Sequence, residues 1–435
     1  MRIILILICS AIFASCGASS GSSSSALSSN TFTSQYPISS EVTLIKGYEQ
    51  TVSLPYDAGG FNVFSPPDSC EISEIWNLEV TTPCDCSSGP CKVGVTPMNS
   101  KTSGNFTYTL SNNTLTETHR TSVKISDVVP FVSTWRIPSG DLDVSLPLVL
   151  GAKYDFTVDW GDGTISEITS HDDPDKNHTY ASDGDYIITM SGHLEAIKFS
   201  GTGETAKLIS ISELGTVGWR FFWGTFRDCT NLTTVAGGDT SNVEDMSEMF
   251  YGATNATLNT SSWNTSRVLK MNTMFRDTDA ANPDTTNWDV SHVTNMSQMF
   301  YDATVATPDT QNWNTESLLR SNFMFYGALV ANPDVSGWNT QSLFEAEGMF
   351  GYATQANPDT SNWDFSLVTN IEDFMFNANN LSSENYDALL ISLNATARDN
   401  LTIDVGDATT ATADGDNAKA ALEGRGWTFL QNGVP

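Results

Sequence analysis

Trp288-Asp289-Val290-Ser291-His292-Val293-Thr294-Asn295-Met296-Ser297-Gln298-Met299-Phe300 is one copy of a unit that returns every 25 residues. Tryptophans stand at Trp263, Trp288, Trp313, Trp338 and Trp363, and phenylalanines at Phe250, Phe275, Phe300, Phe325 and Phe350. Met249, Met274, Met299, Met324 and Met349 precede the phenylalanines, and Pro283, Pro308, Pro333 and Pro358 keep the same register. Phe226 and Phe376 lie one residue out of step at either end. Chance does not hold four residue types in phase over five turns. A fixed period in the twenties marks a chain wound into coils, each burying its apolar residues only against its neighbours.

Within the quoted coil, Val293, Met296, Met299 and Phe300 are apolar, and Asn282-Pro283-Asp284 ahead of the tryptophan forms a turn. Proline fixes φ there and aspartate caps local backbone donors. Stacking should place like on like: Trp, Met and Phe in internal columns, Ser, Thr, Asn and Gln in ladders outside. Each large side chain so buried contributes about 1.5–3 kcal/mol, and methionine in place of leucine softens the core. Asp284, Asp309, Asp334 and Asp359 recur at the same period. They should sit roughly 5 Å apart, either neutralised by backbone N–H groups of their own turns or recruiting cations. Ser321 and Ala346 replace the methionine found at Met246, Met271 and Met296, and Phe344 and Phe374 intrude, so the later coils should pack less regularly.

The motif W-[ND]-x-[ST]-x-V-x-x-M-x-x-M-F-x-x-A, with N-P-D-T before the tryptophan, runs from about Thr225 to Phe376. It resembles the BspA-like leucine-rich-repeat surface proteins of bacteria. Leu389-Leu390-Ile391-Ser392-Leu393, Ala418 to Leu422 and Gly426-Trp427-Thr428-Phe429 look like the C-terminal cap seen with such repeats. The resemblance implies a solenoid with short helices or turns on its convex side, and a part in adhesion and cell-surface contact.

Upstream, Asp155 to Asp159 alternates and leads into Trp160-Gly161-Asp162-Gly163-Thr164, with His178-Thr179-Tyr180 and Gly184-Asp185-Tyr186 following. The Gly-Asp-Gly turn predicts a hairpin. The set W-G-D-G-T, H-T-Y, G-x-Y resembles a polycystic-kidney-disease (PKD) type immunoglobulin-like domain. That resemblance gives Trp160, Gly161, Asp162, Gly163, His178, Tyr180 and Tyr186 structural roles, with Trp160 packed inside and Gly163 relaxing the turn. Asp162 with Asp172 and Asp173 offers carboxylates to calcium, but without a spaced ligand series a solvated acidic loop is the simpler reading. Residues 30 to about 130 show short β-branched runs, such as Glu41 to Ile45 and Thr107 to Leu110, between Gly, Pro, Asn and Asp clusters. They predict a further β-sandwich.

Arg2, the apolar run from Ile3 to Ile8, and Ala14-Ser15-Cys16-Gly17 have the shape of a signal peptide. Small residues followed by Cys resemble a bacterial lipobox, which would make Cys16 the lipidated first residue. The Ser-rich stretch from Ala18 to Ser29 then acts as a flexible tether. Gly17 and Ala18 in place of an aspartate favour the outer membrane by the same resemblance. Cys70, Cys84, Cys86 and Cys91 lie within 22 residues. In an exported chain they predict two disulfides, Cys70 pairing with Cys84 or Cys86 and Cys91 with the other. A four-thiolate zinc site is the rival reading. Cys229 is left single.

The domains expected are a signal peptide (1–15), lipidated Cys and tether (16–30), a disulfide-bearing sandwich-like domain (31–130), a PKD-like domain (131–200), the solenoid (201–380) and a cap (381–435). The fold is expected to be mainly β throughout. Against 20 Lys+Arg stand 51 Asp+Glu, a net charge of −31, which repels a phosphate backbone and argues against nucleic acid. The five histidines have no metal-ligand spacing, and no phosphate loop or zinc-protease motif is present. The function expected is therefore a lipid-anchored, non-enzymatic binding or adhesion protein without a cofactor, its partner a surface protein or glycan and its only membrane contact the lipid. A self-associating envelope component and a carbohydrate-active enzyme are the alternatives.

Overall fold

A computed structural model of the chain describes residues 42–45, 50–53, 69–76, 78–86, 91–97, 103–111, 116–126, 129–406, 411–431 and 433. The signal peptide, Cys16 and the serine-rich tether lie outside the described residues. The protein is mainly β, with mixed sheets.

In the first part, a sheet in the order Val42–Ile45, Thr116–Ser126, Ser103–Ser111, Ser69–Trp76 and a second in the order Gln50–Ser53, Lys92–Pro97, Leu78–Asp85 share a small core. Val93 and Val95 of one sheet and Tyr108 and Leu110 of the other are buried at alternate positions, as the period of two along a strand requires. Cys70 and Cys84 are at disulfide distance, with Cα atoms 5.8 Å apart, and so are Cys86 and Cys91, at 4.0 Å. One of the two pairings left open by the sequence is thereby selected, and the sulfurs of Cys70, Cys86 and Cys91 lie within 4.8 Å of one another.

From Phe131 onward a seven-stranded sheet runs in the order Ile165–Ile168, Tyr154–Asp159, Gly184–Leu194, Phe131–Ile137, Leu208–Glu213, Thr234–Val235, Thr257–Leu258. Its first five strands pair antiparallel and the last two add in parallel. Phe156 and Val158, like Phe131, Trp135 and Ile137, put every second side chain into the core. The sheet crosses residue 200 without a break, and one apolar core continues from Phe131 to Phe429.

Beyond that sheet the 25-residue units lie side by side in register. Parallel bridges link Phe221 to Asp245, Asp245 to Lys270, Lys270 to Asn295, Asn295 to Arg320, Arg320 to Glu345 and Glu345 to Asn370. A second line of backbone bonds runs through the phenylalanines, whose amides donate to the residue before the next one: Phe250 to Met274 O (2.9 Å), Phe275 to Met299 O (2.9 Å), Phe300 to Met324 O (2.8 Å) and Phe325 to Met349 O (2.9 Å). Buried threonine hydroxyls make a third, with Thr260, Thr285 and Thr310 donating to the carbonyls of Asp284 (2.8 Å), Asp309 (2.7 Å) and Asp334 (2.6 Å). Each coil therefore satisfies its backbone against the next one, which lets an array with almost no regular strand bury its polar atoms. Within residues 201–380 the connecting segments are turns. Two residues of most coils sit in the left-handed region, among them Glu248, Thr273, Gln298 and Phe323 at one position and Asp228, Asp277, Asp302 and Tyr352 at the other.

The array is closed by α1 (Ser383–Thr396) and α2 (Ala413–Gly424), with a parallel pair between Thr402–Asp404 and Thr428–Leu430. Ser382 caps α1 by accepting from the Asn385 amide. The Asp387 carboxylate of α1 takes the amide and hydroxyl of Thr412 at the start of α2. Ile371 bridges Ile403, so the cap continues the ladder of the array. No helix among the described residues is long and apolar enough to cross a membrane.

Candidate binding surface

The repeat residues picked out by spacing are internal. Trp263, Trp288, Trp313, Trp338 and Trp363 are buried, as are Phe250, Phe275, Phe300, Phe325 and Phe350. The phenylalanine rings stack at 5.8 Å (Phe250 to Phe275), 5.4 Å (Phe275 to Phe300), 5.6 Å (Phe300 to Phe325) and 5.6 Å (Phe325 to Phe350). Phe226 opens this column, 5.5 Å from Phe250. Phe376 does not close it. Phe374 stands there, edge-on to Phe350 at 5.3 Å, because Phe374-Met375 reverses the Met-Phe order of the earlier coils. Ser321, buried where a methionine was expected, donates to Glu345 O (3.3 Å) and Met349 Sδ (3.4 Å). The recurring aspartates are held by their own turns: the amides of Thr286, Gln311, Ser336 and Ser361 donate to Asp284, Asp309, Asp334 and Asp359. The hydrogen bonds from Thr286 and Ser336 hold Asp284 and Asp334 below the usual carboxylate range.

The W-G-D-G-T and H-T-Y residues assemble into one knot. Trp160 is buried, and its indole donates to Ser166 Oγ (3.1 Å) while its carbonyl accepts from Tyr180 Oη (2.8 Å). His178 stacks on Trp160 at 4.7 Å and meets Tyr180 edge-on at 4.6 Å; Tyr186 lies 4.0 Å from Tyr180. His178 Nε2 is 2.8 Å from Asp162 Oδ2, and Asp162 Oδ1 accepts from the Thr164 amide and hydroxyl at 3.0 and 2.6 Å. Asp172 and Asp173 do not join Asp162. Asp172 takes the Ser170 hydroxyl (2.8 Å), and Asp173 takes the amides of Thr169 (3.0 Å) and Asp175 (3.1 Å). Local turns claim these oxygens, and among the described residues the three carboxylates do not come together as one metal-sized group.

Burial works to raise the Asp162 carboxyl, but its bonds to Thr164 and His178 outweigh that and hold it below the ordinary value of 3.8. A depressed carboxyl stabilises the fold above its unfolded value and loses that contribution as pH falls through the folded one. Acid unfolding followed by tryptophan fluorescence should accordingly begin at higher pH in Asp162→Asn than in the parent chain. Identical acid transitions in the two proteins would count against this role.

The feature that sequence reasoning missed lies on the outside of the array. Immediately after the buried phenylalanines come Arg227, Tyr251, Arg276, Tyr301 and Tyr326, and the column continues through Tyr352 and Phe376. Arg227 lies 4.3 Å over the ring of Tyr251; Arg276 lies 5.4 Å from Tyr251 and 4.4 Å from Tyr301. Tyr301 stacks on Tyr326 at 4.9 Å, Tyr326 meets Tyr352 at 5.1 Å and Tyr352 meets Phe376 at 5.2 Å. The rings and guanidinium groups thus form one half-exposed stripe across successive coils. The arginines are also fixed laterally: Arg227 by Asp228 (3.4 Å) and Glu248, Arg276 by Asp277 (3.3 Å) and Gln298 (2.6 Å).

Beside the last tyrosines is an open depression of about 510 Å³, lined by Tyr326, Tyr352 and Leu329 and by Asp277, Asp279 and Asp302. Tyr352 and Leu329 are 40% and 44% exposed. Burial and the neighbouring Asp277 raise the Asp302 carboxyl above its usual range, and burial with the adjoining tyrosines pushes Tyr326 up to about 12. Such a surface offers ring faces, hydroxyls and carboxylates to a ligand lying across it, with no enclosed reaction chamber. A period of 25 in the residue following each Phe would have exposed this stripe in the sequence, had arginine and tyrosine been counted as one class of planar side chain.

Residues 222–335 and 307–389 match a family described as Mycoplasma protein of unknown function, DUF285. No curated protein and no solved structure matches the chain. The family match falls on the 25-residue coils and on the start of the helix that closes them.

Proposed function

We propose that this chain is a binding protein of the cell surface, in which the 25-residue coils form a leucine-rich-repeat-type solenoid that displays the tyrosine and arginine stripe to a protein or glycan. The observation that carries the reading is the stripe itself. Seven planar side chains in line, from Arg227 to Phe376, remain at the surface although the core columns beside them are complete. Tyrosine and arginine combine large contact area with directional polar groups and are the residues most enriched where proteins bind partners. The immunoglobulin-like N-terminal sheets then act as a spacer, and lipidation of Cys16 at the outer membrane is the matching anchor. A non-enzymatic role is part of this reading, with the depression open to solvent.

The test is an array of glycans and of extracellular proteins probed with the full chain and with a Tyr326→Ala/Tyr352→Ala double variant. Saturable binding that the double variant loses by roughly tenfold or more is expected, since two interface tyrosines of this kind contribute about 1–2 kcal/mol each. Binding that survives the double substitution unchanged would remove the stripe from the function.

A further inference from the structure

The stripe contains an internal precedent for its own ligand. Two of its coils carry the pair Arg-Asp directly after the core phenylalanine, Arg227-Asp228 and Arg276-Asp277, and in both the guanidinium lies over tyrosine while contacting the carboxylate that follows it. The next coil repeats the acid but not the cation: Tyr301-Asp302. Tyr301 fills the place of the arginine, and among the described residues no cation lies within ion-pair distance of Asp302. Gly327 follows, and its lack of a side chain leaves room for the Asp302 carboxylate, since a Cβ there would overlap Oδ1. Asp279, likewise without an ion pair among the described residues, also lines the depression. The depression thus has the ring faces and carboxylates that seat a guanidinium twice earlier in the column; Arg276 engages Asp277 at its edge and leaves Asp302 and Asp279 outside ion-pair distance among the described residues.

We propose that the depression at Tyr326, Tyr352 and Asp302 receives the side chain of an arginine presented by a partner polypeptide. This rests on the surface reading above and narrows it to a protein ligand. The flat guanidinium stacks on tyrosine and forks onto a carboxylate, which an ammonium does less well. A chain of net charge −31 also draws a basic partner and repels an acidic one. Burial, Asp277 and Asp279 raise the Asp302 carboxyl against the opposing pull of Arg276, and a second guanidinium in contact with it would lower it.

The test uses the full chain and a Gly/Ser peptide carrying spaced arginines, against the same peptide with citrulline, which keeps the shape and removes the charge. The arginine peptide is expected to bind. Asp302→Asn and Tyr352→Ser should each weaken it by roughly tenfold, while Asp309→Asn, the same charge change outside the depression and at a position where Asn259 stands in another coil, should leave it unaltered. Equal binding of the citrulline peptide overturns the proposal, and so does an equal loss in Asp309→Asn, which would reduce the effect to bulk charge. If the arginine peptide fails while a glycan or neutral protein binds and Tyr326→Ala/Tyr352→Ala abolishes that binding, the arginine assignment falls and the surface reading stands. If both variants are without effect on every ligand found, the surface reading falls too.

Discussion

Replacing Phe300 by alanine is expected to destabilise the chain by about 3–5 kcal/mol, the usual cost of truncating a large, fully buried aromatic side chain. Phe300 is buried midway along the ring column, stacked on Phe275 at 5.4 Å and on Phe325 at 5.6 Å, with Met296 and Met299 filling the space around it. Its removal opens a cavity and deprives two neighbouring rings of their contacts at once. In a molecule whose coils are joined chiefly to their nearest neighbours, a fault in the middle divides the array, whereas one at an end only shortens it. Guanidinium unfolding should therefore show a lower midpoint, and a broader or split transition, for Phe300→Ala. Tyr352→Ala, on an exposed ring, should lose about 1 kcal/mol or less. Comparable losses in the two variants would mean that the phenylalanine column is not the spine of the array.

The second large effect is expected at Gly161. Its φ of +80° lies in the left-handed region, and a Cβ there would come within 2.5 Å of the Ile187 carbonyl oxygen, part of the strand backbone. Gly163, two residues on, has φ +93° but open space around it. Gly161→Ala must then meet both a conformational cost of about 1–2 kcal/mol and an overpacking cost of about 1–3 kcal/mol. Gly163→Ala meets only the first. Thermal unfolding of the two alanine variants distinguishes these contributions. An equal effect would show that the turn yields enough to absorb the contact.

These two sites also show what the sequence makes legible. Identical apolar side chains at a fixed step must find one another, because burial is non-directional and each coil can bury them only on the coils beside it. The Trp and Phe columns were therefore readable from spacing alone. Gly163 was singled out for a relaxed turn, but the tighter constraint belongs to Gly161, and it arises from a strand distant in sequence. The same limit explains Phe376, whose spacing suggested the core column: a reversed Phe374-Met375 pair moved it outward onto Tyr352. The cysteine pairing was open for a related reason, since four thiols within a short segment are distinguished only by the strands carrying them. The sheet that runs across residue 200 was equally hidden, because Thr234–Val235 and Thr257–Leu258 are too short to signal strands by themselves. The candidate surface was not read from the sequence at all. Its meaning depends on arginine, tyrosine and phenylalanine sharing one line, and propensity treats those residues as unrelated.

The joints between coils are alike: Lys270 meets Asn295 as Asn295 meets Arg320 and Arg320 meets Glu345. An in-frame loss or duplication of one unit would recreate the same seam, so the length of this protein can change in discrete steps without redesign of any contact. Its two ends have no such freedom, since one coil must mate with the sheet before it and another with the helices after it. Variation among descendants of this gene should consequently appear as altered copy number between constant termini, lengthening or shortening the reach of the molecule while leaving its fold intact.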